Sequence, residues 1–241
     1  MNHSRIALMI VTLGIGLTAC TGPASVSRGE GPASETMSFD QLAQTDFNRT
    51  VTIAMRDNLN SLTRLLEKLY RRNPSEWRKT GAADIDAAIL AGRMAIESGH
   101  PPPGLQGLRD IQILSVALDP QYQGDRVAAF VLGLSDMIVQ AHGGKIRFYA
   151  SDMLEATHVY NAARNVEAAA WLLASRRNQH GQPLLLANEI SNESTNLSFE
   201  REFGQLIGRL DLVANLLDEN IRRVGINYMQ GLLFFNFLPV R

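Results

Sequence analysis

Phe47, Val51, Met55, Leu59, Leu62, Leu66 and Leu69 recur at steps of three and four. Only a helix gathers that spacing onto one face, so the chain is predicted to form a long amphipathic helix from Ser38 to about Arg72. Ser38 followed by Gln41 has the spacing of a capping box. Arg71 and Arg72 sit where cations suit the negative end of the helix dipole. Asn73-Pro74 ends the helix and restarts a short turn, with Asn73 as its cap and Pro74 in first position.

The same reading continues along the chain. A third helix spans Ala82 to Glu97 and stops at Gly99. Pro101-Pro102-Pro103-Gly104 is a rigid break. A fourth helix runs from Leu105 to Leu118 and a fifth from Asp125 to His142. The fifth is apolar almost all round from Val127 to Val139, so it belongs in the middle of a bundle, and Gly143-Gly144 ends it. A sixth helix runs from Phe148 to Arg177, with Met153, Ala156, Tyr160, Ala163, Ala170 and Leu173 on its apolar side. Gln179 to Asn196 reads as loop. Ser198 caps a seventh helix carrying Phe199, Phe203, Ile207, Leu210, Val213, Leu217 and Ile221, closed by Arg222, Arg223 and Gly225. The fold class that follows is all-α, an irregular bundle of six or seven helices. The apolar segment 226–241 reads as a short strand or extended piece docked into the bundle, with membrane or partner contact as the alternative.

Charge and cysteine content exclude several function classes. The chain has 23 basic and 24 acidic residues, a net charge of −1. That leaves no electrostatic footprint for nucleic acid. A single cysteine rules out an internal disulfide framework and a cysteine-rich zinc site. Walker, Rossmann and HExxH patterns are absent, and Gly133-Leu134-Ser135-Asp136 lacks the second glycine of a nucleophile elbow. Nothing in the sequence calls for a cofactor, and the reading leans away from an enzyme.

That one cysteine ends a distinctive leader. Arg5 precedes an apolar run from Ile6 to Leu17, too short to span a bilayer comfortably but suited to the core of a secretory signal. The leader closes on Leu17-Thr18-Ala19-Cys20, which resembles the lipobox of bacterial lipoproteins position for position. The resemblance covers about the first twenty residues. It implies diacylglyceryl transfer to the Cys20 thiol, cleavage before Cys20 and acylation of the new amino group. Thr21 at the next position, by the same resemblance, favours the outer membrane, facing the periplasm. Several chains on one residue anchor stably where a single chain does not. The domain plan is therefore a signal peptide over 1–19, a flexible tether rich in Gly, Pro, Ser and Ala over 20–37, and one helical domain over 38–241. The helical part is similar in flavour to uncharacterised helical lipoproteins of proteobacteria, which carry no assigned activity.

Beyond Cys20, two groups of residues stand out. Tyr70, Arg71, Arg72, Trp77 and Arg78 form the densest cluster of residue types that dominate interfaces. They also suit a semi-buried corner. Asp136 lies inside the apolar fifth helix and needs a partner, with Arg93 and Arg164 as candidates. Glu155 and His158 form a Glu-x-x-His string that falls opposite the Met153–Tyr160 side, facing water or a rim. With Asp136 and Arg164 they define a candidate polar cleft. The expected function is a lipid-anchored, non-enzymatic scaffold or accessory subunit with an envelope protein partner. The alternatives are a carrier of a small ligand or lipid, or an enzyme centred on Asp136 and His158.

Overall fold

The computed structural model describes residues 45–101, 104–149, 151–190 and 195–234, without the side chains of 190 and 220–234. Seven helices lie among them: α1 Asp46–Arg72, α2 Pro74–Arg78, α3 Ile85–Ser98, α4 Asp110–Ala117, α5 Arg126–Ala141, α6 Ala156–Ser175 and α7 Ser198–Phe234. The all-α class is the observed one. A two-residue ladder, β1 Glu189–Ile190 antiparallel to β2 Thr195–Asn196, crosses the stretch expected to be pure loop.

The apolar stripe of α1 is the spine of the core. Val51, Met55, Leu62, Leu66 and Leu69 are buried, and Phe47 and Leu59 pack against them. The helix starts on Thr45, whose hydroxyl accepts from the Asn48 amide at 3.2 Å. The expected start at Ser38 lies outside the described residues. Helix α5 runs through the centre, as its all-round apolarity requires, with residues 126–138 buried without a break. Helices α1, α4 and α6 pack around it, and α7 packs along α1 and α6. Phe130 of α5 meets Phe203 of α7 edge to face at 6.4 Å between ring centres.

Three boundaries and one helix face stand out as different from the sequence reading. Helix α4 begins at Asp110, not Leu105, because Gly104 and Gly107 take left-handed backbone (φ +93° and +85°) that a helix cannot continue through. Helix α6 begins at Ala156, not Phe148. Before it, the Asp152 carboxylate accepts the Tyr149 amide and pairs with Lys145, holding a turn in place of a helical start. The buried face of α6 is also rotated: Val159, Ala162, Ala163, Val166, Ala169 and Leu173 face inward, whereas Met153 is 96% exposed and Tyr160 half exposed. Last, α7 does not stop at Gly225. Its backbone stays helical through Phe234, so 226–234 is neither strand nor extended. Residues 235–241 lie outside the described residues.

Asn73 departs from its expected role as well. Its side chain makes no cap to α2. Its amide donates instead to the Leu69 and Leu186 carbonyls, both at 2.9 Å, and its carbonyl oxygen accepts the Leu186 amide at 2.7 Å. One buried asparagine thus finishes α1 and ties down the segment before β1.

Candidate functional site

Three places in the domain carry polar groups or open surface. The first is a buried hub where α1, α2 and α5 meet. Asp125 caps α5, its Oδ1 accepting the Ala128 amide, while its Oδ2 accepts the Tyr70 hydroxyl at 2.5 Å. Burial raises the Asp125 carboxyl above the ordinary carboxylate range, opposed by the Tyr70 hydrogen bond. Burial, then the Asp125 charge, raises the Tyr70 phenol well above its ordinary value. Glu76 accepts the Arg126 amide and the Lys79 ammonium, each at 2.8 Å. The Arg126 guanidinium donates to the carbonyls of Ala117, Asp119 and Tyr122, satisfying the open end of α4. Each charged group here is engaged in holding a helix end. The arrangement fastens elements together, and the concavity of about 370 Å³ beside it is lined also by Tyr122, Asn178 and His180.

The second place is Asp136, which is 9% exposed. Its partners are neither Arg93 nor Arg164. The Asp110 backbone amide donates to it at 2.7 Å, and the Arg109 guanidinium lies at 2.9 Å. Asp110 itself holds left-handed backbone (φ +42°), an uncommon state for a residue with a side chain. Asp136 therefore pins a strained start of α4. Arg93 pairs with Glu97, and Arg164 pairs with Glu167 and Asp211 while lying over the Tyr160 ring.

The third is a groove between α4 and α6. One part, about 370 Å³, is lined by Ile111, Leu114 and Leu118 on α4 and by Ala169, Leu172 and Arg176 at the α6 side. A second part, about 260 Å³, adds Met137 and Gln140 of α5 with His158 and Asn161 of α6. Ile111 and Asn165 line both, so the two are continuous. The groove is open along its length and mostly apolar in both parts, with Gln140, His158 and Asn161 at one end and Asp119 and Arg176 at the other.

The sequence candidates disperse in this geometry. Glu155 and His158 do meet, at 3.4 Å, and His158 is 60% exposed on the groove rim, as its helical phase requires. Asp136 sits at the α4–α5 junction and Arg164 at the α6–α7 contact, so the four do not form one cleft. Among the described residues, no three His, Cys, Asp or Glu side chains gather as a metal ion would need. The Tyr70–Arg78 cluster is a corner, not a continuous exposed patch. Tyr70 is 1% exposed, and Arg71 and Arg72 pair with Glu67 and Glu189. Trp77 packs half-buried against the core, with Arg78 over its ring. Cys20 lies outside the described residues. The sequence reading missed the hub and the groove because each is assembled from distant segments. The cue for the hub, a buried Glu76 two residues after Pro74, looked like an ordinary helix start.

Fold and site together define an all-α bundle whose main open feature is an interhelical groove. No protein-family profile, curated protein or solved structure matches the chain.

Proposed function

We propose that the chain is a lipid-anchored envelope protein, held at the membrane through Cys20, that acts as a non-enzymatic scaffold or accessory subunit. The lipobox residues Leu17 to Cys20 support the anchor, and Thr21 supports the outer membrane, facing the periplasm. The observation that carries the scaffold reading is the α4–α6 groove. From His158 to Arg176 it follows α6 for about 27 Å, at 1.5 Å per residue. A mostly apolar floor with α6 along one side, and α4 and then the end of α5 along the other, suits an amphipathic helix of a partner protein. Glu76, Asp125, Arg126, Asp136 and Arg164 are each committed to a helix end or an ion pair, which favours a presenting surface over a reacting one.

A photo-crosslinking side chain at Ser115 or Ala168, both exposed beside the groove, tests the reading in cells. The expected result is one discrete protein adduct from both positions, none from Ala87 on α3, and loss of the adduct with Cys20→Ala. Equal labelling at all three positions would refute the groove as the docking surface. The apolar stretch near Leu114 and Leu172 supports a second reading, a carrier of a small apolar ligand or lipid. The trough is open rather than enclosed, which suits a helix better. Native mass spectrometry separates the two, since a carrier retains its ligand in the absence of any partner.

A further inference from the structure

Helix α7 is longer than anything it packs against. Its contacts with α1 run antiparallel: Lys68 reaches the Ser198 carbonyl, Arg64 reaches Glu202, and Arg209 reaches Asn58. Equal steps in opposite directions bring the first residue of α1, Asp46, alongside α7 at about Asn220 or Ile221. Leu184 bonded to the Arg176 carbonyl and Glu200 bonded to Asn188 bring the end of α6 to the start of α7, so with the Arg164–Asp211 pair the first residue of α6, Ala156, falls level with about Glu219. Beyond Arg222 neither helix continues beside α7, yet its backbone stays helical for twelve more residues to Phe234. At 1.5 Å per residue that is about 18 Å.

The sequence changes character at the same point. From Ser198 to Arg223 the helix carries nine charged residues in 26. From Val224 to Val240 there is none in 17, and the run includes Ile226, Tyr228, Leu232, Leu233, Phe234 and Phe235. A helix segment without charge and with only Asn227 and Gln230 as polar side chains besides Tyr228 needs cover over most of its surface. A basic pair, Arg222-Arg223, stands at the boundary, where anionic headgroups would meet it. The chain also enters α1 at this end, through Thr45, 25 residues after Cys20.

We propose that the end of α7, from Arg222 onward, inserts into the lipid surface as a second membrane contact beside the anchor at Cys20. The occupant is the headgroup and upper acyl region of an anionic bilayer. The described helix from Arg222 to Phe234 reaches about 20 Å, short of the ~30 Å hydrocarbon core, so the contact is an insertion and not a span. The inference rests on the anchor reading for its second point of attachment but is tested apart from it.

The test uses the full, processed chain in vesicles of phosphatidylethanolamine and phosphatidylglycerol. A photo-crosslinking side chain replaces Phe234 or, as the control at the opposite end of α1, the exposed Ser75. The expected result is covalent phospholipid on most of the crosslinked chain at 234 and none at 75. Omitting phosphatidylglycerol, or using Arg222→Ser with Arg223→Ser, lowers the yield at 234 several-fold. A crosslink from 234 into the same chain, into a second copy, or to nothing overturns the proposal. The mass of the Cys20 peptide is read in the same samples. Unmodified Cys20 with lipid captured at 234 sinks the anchor alone, and acylated Cys20 without capture at 234 sinks this inference alone.

Discussion

The packing of α4 on α5 gives one chemical change opposite signs at different sites. Gly133 on α5 faces α4 so closely that an added Cβ would lie 2.8 Å from Leu114 Cγ and 2.9 Å from the Leu114 backbone nitrogen. Carbon contacts normally settle at 3.5–4.0 Å, so Gly133→Ala must push the α4 backbone outward by several tenths of an ångström. Overpacking of that kind costs about 1–3 kcal/mol, against a helix-propensity gain of about 0.8–1.0 kcal/mol. The net runs from near zero to about 2 kcal/mol of destabilisation, or up to roughly 8 °C in Tm for a domain of this size. At Gly204 and Gly208 of α7 a Cβ meets nothing within 4 Å. There the propensity term acts alone, and alanine stabilises by about 0.5–1 kcal/mol. Urea titrations of the three variants read the difference, with unchanged m values showing that the unfolded state is not responsible. Gly133→Ala as stabilising as Gly204→Ala would refute the close seating of α4 and, with it, the fixed near wall of the groove.

Three further substitutions test the buried polar groups. His142 is fully buried, with Nδ1 donating to the Ile138 carbonyl at 2.8 Å, and burial lowers its pKa below the ordinary 6.5. The unfolded chain therefore binds a proton that the folded chain refuses, so stability falls as pH drops through about 6.5. His142→Gln, which keeps a donor for Ile138, should flatten that part of the Tm–pH curve, and an unchanged slope would count against the assignment. Tyr70→Phe leaves Asp125 short of one buried donor and should cost about 1–3 kcal/mol at pH 7. Because the Tyr70 bond favours the ionised carboxylate, the cost should shrink as acid protonates Asp125; a cost independent of pH would contradict that origin. Asn73→Ala removes three hydrogen bonds at once and should cost about 2–4 kcal/mol. Amide exchange should then accelerate at Leu186, whereas general acceleration without a local excess would deny its tying role.

Periodicity made the architecture legible and left the contacts between elements unread. The α1 stripe and the continuous apolarity of α5 each had one physical solution, and both lie where that solution puts them. The face of α6 was misread because Met153 and Tyr160 were counted by hydrophobicity alone. Alanines at 162, 163 and 169 carry the buried side, and small residues announce themselves weakly even where they let helices approach. The partner of Asp136 could not be read because it depends on Asp110 turning into left-handed backbone, which no spacing encodes. Tyr70 looked like a recognition residue for the same reason. Its neighbour Asp125 is 55 positions away, and only the fold brings a cap and a phenol together. The end of α7 was stopped too early because Arg222-Arg223 and Gly225 have the chemistry of a helix terminus, yet the backbone runs through them.

The register of α7 also orients the groove. Helices α1 and α6 both run antiparallel to α7, so Asp46 and Ala156 lie toward one end of the domain and Arg72 and Arg176 toward the other. The hub of Tyr70, Glu76 and Arg126 and the Asn73 tie sit at the Arg72 end, away from Thr45. A domain held by Cys20 and by the end of α7 would therefore point its His158 end toward the bilayer and its Arg176 end away from it. The apolar stretch of the groove, around Leu118 and Leu172, would then lie at the far end, out of reach of lipid. An apolar surface placed there needs a protein to cover it. On that geometry a docked helix would stand along the bilayer normal. Crosslinks from Ser115 and Ala168 should then fall farther from the membrane on the partner than crosslinks from Asn161, and the reverse order would break the link between the two proposals.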